Sequence, residues 1–240
     1  MKKLKVLSID WDYFIDCSAY DRADLFPDGG NENLPAEISN MIWGSRYLNE
    51  NLKKIGYLED DAKYICCVLD SQIDKHCEMV VVDSHKYLYN KIVEFMKSGD
   101  YENLDITNID FHHDLYEFND NVDCGNWFRY IIDKYGNKGN SYRWIKRNDS
   151  DDVPKKYKGI VKESIGMKED LDNDYDIIFI CRSGMWSPPH LDKQFSKTFE
   201  FRFIPFIEKG IFDDRMEQVK LYYEQYVKEK SRILEMIGEE

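Results

Sequence analysis

Leu104-Asp-Ile-Thr-Asn-Ile-Asp110-Phe-His112-His-Asp114 is the stretch whose reading decides the fold. Leu104 to Ile109 is a run of strand length, and carboxylates and imidazoles follow it at once. At a strand end, alternation places Asp110, His112 and Asp114 on one side. A histidine between two carboxylates can share metal ions with both. Two other apolar runs end in the same way. Lys5 to Ile9 leads into Ser8-Ile-Asp10-Trp-Asp12, and Met79 to Val82 leads into Asp83-Ser-His85. Three such ends place Asp10, Asp12, His85, Asp110, His112 and Asp114 at one rim of a sheet. Carboxylates with some imidazole, and no thiolate in any of the three motifs, suit Mn²⁺ or a similar divalent ion. Asp10 and Asp12, with no Lys or Arg near them in sequence, need a cation if they are buried.

Each motif also has an ordinary reading. Asp114 could cap a helix, Asp83 and Ser84 could cap the helix that follows them, and Asp10 and Asp12 could be solvated. His113 faces away from its neighbours and reads as a supporting or surface residue.

Outward from the motifs, strands alternate with helices. Asp176-Ile-Ile-Phe-Ile-Cys181 is the clearest buried strand, Ser141 to Lys146 a further one, and Tyr64 to Leu69 has strand composition. Ile38 to Ile55 carries a helical face, as do Tyr87 to Met96, Asn126 to Tyr135 and Asp213 to Ile237. Residues 13–36, with Pro27-Asp-Gly-Gly30, read as a loop, and Asp149 to Lys158 as a polar linker. The pattern predicts one α/β domain over residues 1–240, a three-layer αβα sandwich with a mainly parallel sheet and a metal site at the carboxyl ends of its strands. The last helix docks on the sheet or on another subunit, which leaves a homo-oligomer open.

The chain has 240 residues and a formal net charge of −13. That charge argues against a nucleic-acid partner or an anionic membrane. Leu4 to Ile9 is too short for a signal h-region, and the six cysteines form no CxxC pair. A reduced, cytoplasmic protein is expected.

Together the motifs resemble those of the arginase and agmatinase (ureohydrolase) superfamily. Asp110-Phe-His112-His-Asp114 is similar to its D-A-H-x-D motif, Ser8-Ile-Asp10-Trp-Asp12 to its S-x-D-x-D motif, and His85 takes the place of the histidine in G-G-D-H. Cys124-Gly-Asn126 is similar to the S-G-N substrate-loop segment. The small size, the motif order and Trp186-Ser-Pro-Pro-His190 resemble the branch that converts arginine in ribosomal peptides to ornithine.

The resemblance implies an arginase-like fold and two divalent ions, Mn²⁺ by preference. Asp10 and Asp110 would bridge them, His85 and Asp114 would complete one shell, and His112 and Asp12 the other. It implies Asp114 and His190 in proton transfer, Asn126, Met185 and Trp186 at the substrate, and an arginine-containing peptide as partner. Three departures stand out. The S-x-D-x-D strand comes first rather than last, Phe128 stands where arginases have a histidine, and Met185 stands where an acidic guanidinium partner is expected. Two alternatives remain: a single-metal amide deacetylase on the same scaffold, and a peptide-binding relative without turnover.

Overall fold

A computed structural model describes residues 2–27, 34–72, 77–117, 120–167, 171, 174–200 and 206–237. Strand β1 (Lys3–Asp10) runs into a 3-10 turn at Trp11–Phe14 and a short strand β2 (Ile15–Asp16). Helices α1 (Ala19–Leu25) and α2 (Ala36–Arg46) follow, then β3 (Gly56–Tyr57), which pairs antiparallel with β2. Next come α3 (Glu59–Asp70), β4 (Glu78–Val82), α4 (Lys86–Lys97), β5 (Asn103–Ile109) and α5 (Trp127–Tyr135). The chain continues through β6 (Ser141–Lys146), β7 (Val161–Ile165), β8 (Ile177–Cys181), α6 (Asp192–Phe199), β9 (Phe206–Ile207) and α7 (Met216–Ile237).

Seven strands form one sheet in the order β7-β6-β5-β1-β8-β4-β9, and every pairing in it is parallel. Parallel strands need helical crossovers, and these bury both faces. On one face Leu7, Ile9, Ile178 and Ile180 pack with Trp43, Ile65, Leu69, Phe195 and Val219 of α2, α3, α6 and α7. On the other, Val6, Ile106 and Phe179 pack with Leu88 and Ile92 of α4 and Ile131 of α5. Helices therefore cover the sheet on both sides, in three layers.

The topology places the site. From β1 the chain leaves toward β4, on one side of the sheet. From the adjacent β5 it leaves toward β6, on the other side. Loops that part in opposite directions open a crevice beyond the carboxyl ends of those two strands. Asp10 and Asp110 stand at those ends.

Several local expectations need correcting. Tyr64 to Leu69 is helical, within α3. Its composition suits a strand, but Glu59, Asp60 and Asp61 stabilise a helix N-terminus, and Ala62, Ile65, Val68 and Leu69 then share one buried face. The segment 13–36 is not all loop. Ser18 caps α1, accepting a hydrogen bond from the Asp21 backbone N–H at 3.1 Å. The Pro27–Gly30 turn lies largely outside the described residues. The face from Ile38 to Ile55 is broken, since α2 ends at Arg46. Ser84 does not cap α4: His85 takes the N-cap position, and no side-chain bond closes it. The polar strand β7 and helix α6 were not legible.

The final helix docks on α2. Gly44 makes this possible, since a Cβ there would lie 2.6 Å from Tyr222 Cβ. Among the described residues no cysteine forms a disulfide, and no helix is long and apolar enough to cross a membrane.

Candidate metal centre

The three motifs meet. The spacing of the first two follows from one local device. Asp10 Oδ1 accepts the backbone N–H of Asp12 at 2.8 Å, and Asp110 Oδ1 accepts that of His112, also at 2.8 Å. These Asx turns replace the strand ladder just where β1 and β5 end. Each swings the residue two places on back toward the centre and leaves Oδ2 of the first aspartate pointing into it. Strand alternation, the expected cause, stops at Ile109.

His85 Nδ1 lies 3.1 Å from Asp10 Oδ2, 3.4 Å from Asp110 Oδ2 and 3.3 Å from Asp114 Oδ2. Ser8 Oγ is 2.9 Å from His85 Nε2. In a metal-bound state a proton kept on Nε2 and donated to Ser8 would leave the Nδ1 lone pair for the ion. His112 Nδ1 lies 2.8 Å from Asp12 Oδ2. Among the described residues the ligand atoms fall into three groups: His85–Asp110–Asp114 and Asp12–Asp110–His112, which share Asp110, and Asp10–His85–Cys181, which shares His85 with the first.

Supporting bonds fix these positions. Trp127 Nε1 donates to Asp114 Oδ2 at 2.6 Å, Trp144 Nε1 to the Asp110 carbonyl at 2.9 Å, and the Phe111 backbone N–H to Asp12 Oδ1 at 3.2 Å. Asp114 and Ser183 both sit at φ 51, in the left-handed region. Such backbone strain, notable for a serine, gathers at functional sites.

The donor set fits divalent cations. Four carboxylates that are at most 4 % exposed surround two imidazoles. Asp12 Oδ2 is buried and receives no hydrogen bond, despite its neighbours. Burial, and then the Asp12 charge, push the Asp10 carboxyl up to about 6. Burial, then Asp114, Asp10 and Asp12, push Asp110 well above the usual carboxylate range. Burial opposes charge on His85, but Asp10 and Asp114 outweigh it and raise the imidazole to about 10. Burial would raise Asp12 too, but His112, Arg22 and the Phe111 N–H bring it down to about 2. Without a metal ion, protonated His85 and protonated carboxyls balance the cluster.

Metal uptake must displace those protons. Its apparent affinity is therefore expected to rise with pH between about 6 and about 10, by about tenfold per pH unit for each proton displaced. Metal titrations against a competing chelator at several pH values measure this. An affinity that is flat or falling over that range would contradict the arrangement.

Sequence reasoning missed Arg22. Its Nη1 is 3.9 Å from Asp12 Oδ2, and its Nη2 donates to the Asp12 and Ile15 carbonyls at 2.6 and 3.1 Å. The guanidinium stacks 3.9 Å over Phe111. Ser183, whose hydroxyl donates to Asp10 Oδ2, and Cys181 were also missed as site residues. Both reach the centre through strand β8. His113 is buried rather than superficial, and its Nδ1 accepts the Leu115 N–H.

A cavity of about 380 Å³ opens beside the centre, lined by His112, Trp186, Phe111, Tyr116, Asp149 and Asp151 among others. His112, at 20 % side-chain exposure, is the candidate ligand that faces it, and its ring lies 4.7 Å from that of Trp186. Asp149 Oδ1 is buried and accepts no hydrogen bond.

The loop after β8 is clamped from several sides. Arg215 pairs with both oxygens of Asp192 at 2.6 and 2.8 Å and bonds the Gly184 and Ser187 carbonyls. Trp43 Nε1 adds a bond to Gly184 O. His190, expected in proton transfer, belongs to this clamp. Its Nδ1 meets Tyr47 Oη at 2.5 Å and its Nε2 meets Ile55 O at 2.8 Å, so both ring nitrogens are engaged. Asn126 likewise fastens its own loop, accepting from Asp123 N and donating to Asn121 O. The structure gives both residues positioning places.

Met185 is buried, and its sulfur accepts from Ser39 Oγ at 3.0 Å. It lines a separate cavity of about 160 Å³ with Asp83 and Glu208. Met185→Glu would add a third carboxylate there. It is expected to cost about 1–3 kcal/mol of stability and to bring no gain in arginine-peptide binding. A denaturant melt and a peptide titration test this; tighter binding by the variant would show that Met185 faces the substrate.

No family model, curated protein or solved structure matches the chain.

Proposed function

We propose that the protein is a binuclear metal hydrolase of arginase-like fold that acts on the guanidinium of an arginine residue in a peptide, giving ornithine and urea. The observation that carries this reading is the sharing of Asp110 between two ligand groups, one completed by His85 and one by His112. A single-metal deacetylase would need only one of them. Asp10, Asp110, Asp114 and His85 would hold one ion, and Asp110, Asp12 and His112 the other, with Asp10 a second bridge, as the resemblance to the ureohydrolases implies. Two divalent ions, Mn²⁺ in the simplest case, supply Lewis-acid charge and activate water at neutral pH.

The chain's own residues do the rest. Trp186 and Tyr116 offer flat aromatic faces to a planar cation, while Phe111 already carries the Arg22 guanidinium. Asp149, whose Oδ1 accepts no hydrogen bond though Arg147 Nε lies 3.8 Å away, is the acceptor for guanidinium N–H groups in place of the residue missing at Met185. Water adds to the guanidinium carbon, the C–N bond to the side chain breaks, and Asp114, held by Trp127, carries the proton to the leaving amine.

The test is to incubate the metal-loaded chain with arginine-containing peptides. Loss of CH₂N₂ from the peptide by mass spectrometry, with equimolar urea, is expected. A chain that holds two ions and releases no urea from any such peptide would contradict hydrolysis while leaving the centre in place.

A further inference from the structure

We infer that Cys181 is a thiolate ligand on the His85 side of the centre, and that this half of the site prefers a softer ion (Zn²⁺, Co²⁺ or Fe²⁺) to Mn²⁺. The inference rests on the binuclear reading and refines its metal.

The sheet register carries the argument. Cys181, the last residue of β8, pairs with Asp10 of β1 on one side and Val82 of β4 on the other. Residues in register on neighbouring parallel strands point to the same face. Cys181 therefore projects beside Asp10, and the next turn of chain after Val82 delivers His85. Ligand atoms of Asp10, His85 and Cys181 lie within 4.8 Å of one another, the span that also groups the other two triplets, and all three residues are buried. With metal–sulfur and metal–nitrogen distances of about 2.3 and 2.0–2.1 Å, one ion can take all three after small side-chain shifts.

The surroundings support a ligand rather than a plain apolar filler. Ser183 Oγ lies 3.3 Å from Cys181 Sγ and donates to Asp10 Oδ2, so one hydroxyl orients both donors. Ser183 holds that place at the cost of its left-handed backbone, φ 51. A methylene-sized filler needs no such neighbour. A thiolate among carboxylates and imidazole shifts preference away from Mn²⁺ and toward Zn²⁺, Co²⁺ and Fe²⁺.

Co²⁺ reports the contact directly, because a thiolate bound to Co²⁺ gives a near-ultraviolet charge-transfer band. Apo wild type and Cys181→Ser are titrated with Co²⁺, with Cys181→Ala as a second variant should the first fold poorly. The band is expected in wild type and absent from the variants, which still bind two ions. The preference of the site for Zn²⁺ over Mn²⁺ is expected to fall by about tenfold or more in the variants. Two bound Co²⁺ ions without the band in wild type, or a band that survives in the variants, would overturn the thiolate. A wild type that binds no ion at all would overturn the centre and the thiolate with it.

Discussion

Asp110→Asn is expected to empty the centre of both ions at once. Asp110 is the residue that the His85–Asp110–Asp114 and Asp12–Asp110–His112 groups share, whereas His85 is in the first of these and in a group with Asp10 and Cys181, and His112 is in the second alone. An amide offers a neutral oxygen where a shared carboxylate stood, and the loss is felt at two sites. The expected fall in affinity is about a hundredfold or more, the upper end of what even supporting contacts cost. The apo form should respond in the opposite sense. Asp110 is 0 % exposed, and its carboxyl is raised by burial and by three neighbouring aspartates. An amide stays neutral there without taking up a proton, so the apo variant should melt no lower than apo wild type. Elemental analysis after dialysis, with melts in parallel, reads both effects. Full metal occupancy in the variant would remove Asp110 from the bridging position.

Stripping metal from the wild type is expected to lower its melting temperature markedly. A ligand that binds only the native state adds about 2.7 kcal/mol per site at a hundredfold excess over its dissociation constant. For a chain of this size that amounts to about 5–10 °C per site. The cause here is specific. Among the described residues, His85, His112 and the guanidinium of Arg22 are the cationic groups beside the four buried aspartates. Scanning calorimetry with Mn²⁺ or Co²⁺ and with EDTA measures the difference. An unchanged melt after verified metal removal would mean that the carboxylates are not held by cations.

The main sheet was largely legible. β1, β4, β5, β6 and β8 carry dense apolar runs because they are covered on both faces, and α4, α5 and α7 carry a helical repeat. The errors have physical causes. Tyr-Ile-Cys-Cys-Val-Leu has strand composition, and only the acidic turn before it shows the helix. β7, Val-Lys-Glu-Ser-Ile, is a polar edge strand with no apolar alternation to read.

That the six candidate ligands converge was legible because short carboxylate–imidazole motifs keep their meaning locally. Ser8, Arg22, Cys181 and Ser183 were not, because their roles depend on strand register and long-range packing. Met185, Asn126 and His190 show the converse. A loop sequence names the residue but not where its side chain points, and here all three point into their own scaffold.

The most direct test of the central claim is anomalous scattering from a crystal of the metal-loaded protein. The account predicts two peaks per chain, both against Asp110, one beside His85 and one beside His112. A single peak, or peaks away from these side chains, would contradict it.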